Sequence, residues 1–230
     1  MSKDKPPAIR DEVNQFLQKV AETPNLNTGK TARLLFALDA TASREPTWDT
    51  ACQLQAEMFM ATQGLGNLEI QLCYYRGFNE LNTSAWCRDA DTLLRQMTGV
   101  KCLGGHTQIG RLLRHAVAEH KKQPVQAVVF VGDAMEEAAD DLCHLAGQAG
   151  MLKLPLFLFQ EGVDPVVRNT YQQMSHLSGG AYAPFDASSA GQLKALLSAV
   201  AIFAVGGRKA LENFANRSGQ EVKRLTNQIR

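Results

Sequence analysis

Three short apolar runs do most to limit what this chain can fold into: Leu34-Leu35-Phe36-Ala37-Leu38, Val128-Val129-Phe130-Val131 and Leu154 to Phe159. Each is too short for a helix and none alternates like a half-solvated strand, so each reads as a strand buried on both faces. Segments of helical spacing lie between them. The clearest follows Thr107, where Ile109, Leu112, Leu113, Ala116 and Val117 recur at the period of one helix face. Strands alternating with helices predict an α/β chain: a doubly wound, Rossmann-like, mostly parallel sheet flanked by helices, with right-handed crossovers.

The remaining pattern divides the chain. Residues 1–30 read as a disordered start followed by an N-terminal helix, Ile9 to Glu22, with Val13, Phe16, Leu17 and Val20 on one face. Residues 31–205 read as the domain. Its first strand covers 32–38, and Thr47 is placed to cap a helix carrying Ala51, Leu54, Met58 and Phe59. Leu68 to Tyr74 alternates apolar and polar residues, which predicts a less buried strand, and Tyr75 to Ser84 a short antiparallel edge strand with its turn. Helices are expected over Cys87–Met97 and Ala139–Ala149, and strands over 126–131 and Ala181–Phe185. Asp164 and Pro165 open another helix that Gly179 ends. Gln192 to Val205 reads as a last core helix. Gly206-Gly207 then interrupts the pattern, and 206–230 reads as a charged helical extension with a narrow stripe at Leu211 and Phe214. Both terminal helices have narrower apolar faces than the helix after Thr107, so they are expected to open more easily.

A chain of 230 residues suffices for one well-packed domain with additions. A formal net charge of +1 gives no electrostatic footprint for nucleic acid or an anionic membrane. The polar start, Met1 to Pro7, lacks the apolar core of a signal peptide, and the apolar run Leu193 to Val205 is too short to span a bilayer. Five cysteines with no close pair read as reduced thiols in a cytoplasmic protein, and no CxxC or Cys/His cluster suggests zinc.

The first apolar run ends in Asp39, and Thr41 and Ser43 follow at spacing two. In open parallel sheets, ligands sit beyond the carboxyl ends of the strands. A carboxylate and two hydroxyls offer only oxygen, which suits Mg²⁺ or Ca²⁺. Gly104-Gly105-His106-Thr107 presents a third hydroxyl just before the clearest helix, and Asp133 ends the strand Val128 to Val131. In these residues the chain resembles the von Willebrand factor A (VWA) domain family, in a stand-alone, cytosolic, bacterial-type form. That family's metal-ion-dependent adhesion site (MIDAS) is written Asp-x-Ser-x-Ser, then Thr, then Asp. The matching positions are Asp39, Thr41, Ser43, Thr107 and Asp133, with Thr41 standing in place of Ser; the resemblance covers roughly residues 31 to 205.

The resemblance implies a cation, Mg²⁺ or else Mn²⁺ or Ca²⁺, held by the three hydroxyls directly and by Asp39 and Asp133 mainly through water. One coordination position would be left for a carboxylate of a partner protein. It implies a protein-binding module, working in a multi-protein assembly, rather than an enzyme. The alternatives are a metal-dependent phosphoesterase or other hydrolase, and a metal-independent scaffold on the same fold. Asp39 itself reads as an exposed loop carboxylate whose removal leaves the fold intact.

Other features have plainer readings. Thr28-Gly29-Lys30-Thr31 looks like the end of a phosphate-binding loop, but Pro24 occupies the earlier glycine position and the segment precedes a strand instead of following one. Thr41 also stands where a haloacid dehalogenase phosphatase needs its second Asp. His106 reads as a rim residue. Glu136, Glu137, Asp140 and Asp141 read as a solvated loop and a helix start that favours acids, with assistance to the cation as the alternative. Arg44 and Glu45 either line the binding face or point into water.

Overall fold

A computed structural model describes residues 31–47, 68–185, 195–206 and 210. The expected helices at 9–22 and 51–59 lie outside those residues, as does that at 208–230 apart from residue 210. Among the described residues six strands form one sheet: β1 (Ala32–Asp39), β2 (Leu68–Arg76), β3 (Glu80–Thr83), β4 (Ala127–Gly132), β5 (Leu156–Glu161) and β6 (Ala181–Phe185). Their order is β3-β2-β1-β4-β5-β6. β1 pairs in parallel with both β2 and β4, β5 is parallel to β4 and β6, and β3 alone runs antiparallel, at the edge beside β2.

The helices are α1 (Ala90–Thr98), α2 (Ile109–Lys122), α3 (Ala139–Met151), α4 (Pro165–Ser178) and α5 (195–206). The sheet is the middle of three layers. Leu34, Phe36 and Leu38 point into one core with Leu93 and Met97 of α1 and Leu197, Val200 and Phe203 of α5. Leu35 and Ala37 point into the other, with Leu112 of α2, Leu142 of α3 and Tyr171 of α4. Successive residues of one strand thus feed opposite cores, which is why β1 is apolar at nearly every position.

Two expectations change. β2 is more buried than its alternation predicts. Gln71 is only 6% exposed, because its amide donates to the Ser84 carbonyl at 3.0 Å while its oxygen meets His115 Nε2 at 2.8 Å. A polar group so bonded is tolerated inside. α1 starts three residues later than expected: Cys87 exchanges backbone bonds with Ile70, and Asp89 then caps the helix through Asp91 N and Thr92 N. α4 begins and ends as predicted, with Asp164 capping, Pro165 in the first turn and Gly179 left-handed at φ 75°.

Gly180 lies where α4 returns to the sheet. A Cβ there would stand 2.0 Å from the Leu156 carbonyl oxygen. Backbone cannot yield as a flexible side chain can, so Gly180→Ala is expected to destabilise by roughly 1–3 kcal/mol. A denaturant titration would show it as a lowered midpoint, and an unchanged midpoint would mean that this approach is loose.

Candidate metal centre

The chain builds β1, β2 and β3 toward one edge, then returns to β1's other side and builds β4, β5 and β6 toward the other. The crevice between the carboxyl ends of β1 and β4 is therefore the switch point of the sheet, where open α/β folds bind ligands. Leu38 of β1 is in register with Val131 of β4, so Asp39 is level with Gly132, and Asp133 follows one residue on.

Asp39 is not an exposed loop carboxylate. It is fully buried. One oxygen accepts from Thr41 N at 2.8 Å and the other from the hydroxyl of Tyr75, itself fully buried, at 2.9 Å. The strand register explains this, since Asp39 pairs with Tyr75 in the interior of the sheet. Burial pushes the Asp39 pKa up; the bonds from Thr41 pull it down, the charge of Asp133 adds to the rise, and Tyr75 opposes it. The Thr41 and Ser43 hydroxyls lie 3.1 Å apart in mutual hydrogen-bond contact. Thr41 is fixed on its other side by a bridge to Leu103, the residue before the double glycine.

That double glycine sets the next loop against the β2–β3 turn. A Cβ on Gly105 would lie 2.0 Å from the Gly77 carbonyl oxygen, so a side chain at 105 would force the two loops apart. His106 N and the Gln108 amide donate to that same carbonyl, both at 3.3 Å. Thr107 is thereby presented at the start of α2.

The acids after Asp133 do more than solvate a loop. Glu136 Oε2 accepts from Thr107 N at 2.9 Å and meets His106 Nδ1 at 2.9 Å. Glu137 accepts a hydrogen bond from the Thr107 hydroxyl at 2.6 Å with one oxygen and from the Gly110 amide at 2.9 Å with the other. The Thr107 oxygen also accepts from Glu136 N at 2.9 Å. This clamp was hidden in the sequence because its halves are about 30 residues apart. His106 is an exposed rim residue, as expected, with Phe78 edge-on against its ring.

Arg44 resolves the other way from a solvated charge. It is 1% exposed and ion-paired with Glu161 at the end of β5. Burial lowers its pKa, and the charges of Asp133 and Asp39 oppose that fall. One built-in cation thus already faces the two central acids. Glu45, its neighbour, is exposed.

The five residues singled out in the sequence therefore converge on one end of the sheet. The donor set is all oxygen, as Mg²⁺ or Mn²⁺ prefers. Asp133 supplies the decisive test of fit. Its Oδ1 is buried and has no hydrogen-bond partner among the described residues, and a cation or its water shell would satisfy such an atom. No three His, Cys, Asp or Glu side chains cluster as a metal site among the described residues. Two carboxylates and three hydroxyls form no such cluster.

Comparison with solved structures gives the fold. The SpRpn10 VWA domain superposes with a TM-score of 0.58 at 14% identity, over 74% of this chain and 94% of that one. The fold is that of a VWA domain. Proximal thread matrix protein 1 from the mussel byssus, with a zinc-occupied MIDAS motif, matches at TM-score 0.61 and 13% identity, over 79% of this chain and 46% of its own. Manganese-loaded Plasmodium vivax TRAP matches at 0.52 and 13%, over 73% of both chains. No protein-family profile and no curated protein matches the sequence. Identities this low carry the fold alone, so the chemistry of the site rests on the residues above.

Proposed function

We propose that this VWA-fold chain is a cytoplasmic protein-binding module, not an enzyme, that recognises an acidic side chain of a partner protein through a divalent cation. Asp39, Thr41, Ser43, Thr107 and Asp133 would hold the ion. The observation that carries this reading is the buried Oδ1 of Asp133, without a hydrogen-bond partner among the described residues, at the switch point of the sheet. Hydroxyl ligands leave the cation much of its charge, and an anionic oxygen from a partner gains most by completing its shell. Two solved structures of similar fold carry a divalent metal, zinc in a MIDAS motif in one and manganese in the other. Among the described residues no helix is long and apolar enough to cross a membrane.

Calorimetric titration with Mg²⁺ and Mn²⁺ tests the reading. One ion per chain is expected, abolished by chelator. Thr41→Ser should bind like wild type, because the hydroxyl persists. Thr41→Val keeps the shape without the oxygen and should lose at least about tenfold in affinity, the scale of a lost metal-site partner. If the Val variant binds equally well, Thr41 packs and does not ligate. If wild type takes up no cation, the site is a metal-independent scaffold.

A further inference from the structure

We propose that Glu137 is a positioning residue for the cation, acting through the hydroxyl of Thr107; this rests on the reading of the site as a cation site. The argument is a count of lone pairs. A threonine hydroxyl has one proton and two lone pairs. At Thr107 the proton goes to Glu137 Oε2 at 2.6 Å, and one lone pair receives Glu136 N–H at 2.9 Å. One lone pair is left, so the oxygen has a single free direction for a ligand. The short contact with an anionic acceptor also makes that oxygen a better donor toward a cation.

Glu137 is held for this task. Its second oxygen accepts the Gly110 amide at 2.9 Å, in the first turn of α2, whose own N-cap residue Gln108 makes no side-chain capping bond. The carboxylate therefore bridges the helix start and the hydroxyl, and each bond fixes the geometry of the other. Glu136, by contrast, takes the Thr107 backbone amide with its side chain and leaves the hydroxyl proton alone.

Glu137→Gln separates this role from simple loop support. The Gly110 amide can only donate, so the Gln oxygen must face it. The Gln nitrogen then faces Thr107 and donates, and it consumes the lone pair that the cation needs. The shape and the clamp survive while the oxygen's polarity is reversed. Mg²⁺ alone is the probe, read by calorimetry. Glu137→Gln is expected to weaken Mg²⁺ at least about tenfold, the scale of second-shell partners. Hydrogen exchange of the Gly110 amide should stay within about twofold of wild type. In the Thr107→Val background, Glu137→Gln should weaken Mg²⁺ by less than about twofold further, because the oxygen through which it acts is gone. Glu136→Gln should stay within about threefold of wild type.

Equal losses in Glu136→Gln and Glu137→Gln, or a full further loss in the Thr107→Val background, would overturn the proposal in favour of general loop support. Wild-type affinity in Glu137→Gln would overturn it as well, leaving the cation site standing. A wild-type protein that binds no Mg²⁺ removes the site itself and this role with it.

Discussion

Glu119→Ala is expected to destabilise the fold by roughly 3–5 kcal/mol. Glu119 closes α2 against the start of β1. Its Oε2 accepts from Arg33 at 3.2 Å and from the Trp86 indole at 3.0 Å, and its Oε1 takes Lys122 at 2.6 Å. Arg33 is 4% exposed, and its guanidinium carbon sits over the Trp86 ring, 3.5 Å from the ring centre. Removing the acid leaves a buried guanidinium supported by the Gln123 carbonyl and an aromatic face, and leaves the indole N–H without its acceptor. For a domain of this size the loss corresponds to a melting point lower by roughly 10 °C. Melting followed by circular dichroism would measure it, and a shift of less than about 2 °C would show that Arg33 is adequately held by its other contacts.

The same cluster carries a pH dependence. The bond from Lys122, joined by that from Trp86, holds the Glu119 carboxyl down to about 2 against an ordinary value of 4.5. A carboxyl whose pKa falls on folding stabilises the fold above its unfolded pKa, and that stability is lost as pH falls toward the folded value. Wild type should therefore lose stability between about pH 4.5 and 2 more steeply than Glu119→Gln, which has no proton to take up there. Parallel curves for the two proteins would remove Glu119 from the acid response.

What was legible in the sequence was what repeats locally. The apolar runs of β1, β4 and β5 are short and bounded, which favours a strand buried on both faces over a buried helix such as α5, whose apolar run Ala199 to Val205 is longer. Asp164, Pro165 and Gly179 fixed both ends of α4 because capping is chemistry within a few residues. Gln71 misled because its polarity is answered by His115, 44 residues away. The candidate site divides in the same way. Asp39, Thr41 and Ser43 announce themselves by spacing, whereas Arg44 reads as a surface charge until β5 brings Glu161 beside it. Asp39 reads from the sequence as lying outside the core for a related reason. A carboxylate at a strand end looks exposed unless one knows that a tyrosine of the neighbouring strand points its hydroxyl at it.

That burial changes what Asp39 variants should do, and the contrast between two of them is the sharpest test of the site. Asp39→Ala leaves the Tyr75 hydroxyl and the Thr41 amide without acceptors in a fully buried setting. Each unsatisfied group costs about 1–3 kcal/mol, so this variant should lose both cation and stability. Asp39→Asn behaves otherwise. Its oxygen can accept from Thr41 N, and its amide can donate to Tyr75, whose hydroxyl rotates to accept. The substitution also removes the buried charge and its repulsion with Asp133, the two influences that push the Asp39 pKa up. Asp39→Asn should therefore lose less stability than Asp39→Ala without metal. A neutral amide draws a divalent cation far less than a carboxylate does, and the loss of Mg²⁺ affinity should be on the order of 100-fold. If the site holds Mg²⁺, saturating ion would stabilise wild type through linkage, so the gap between the melting points of wild type and Asp39→Asn should widen when the ion is added. If Asp39→Asn instead melts far below wild type in chelator, the carboxylate is structural first. If it still binds Mg²⁺ like wild type, the ion sits elsewhere and the site assignment fails.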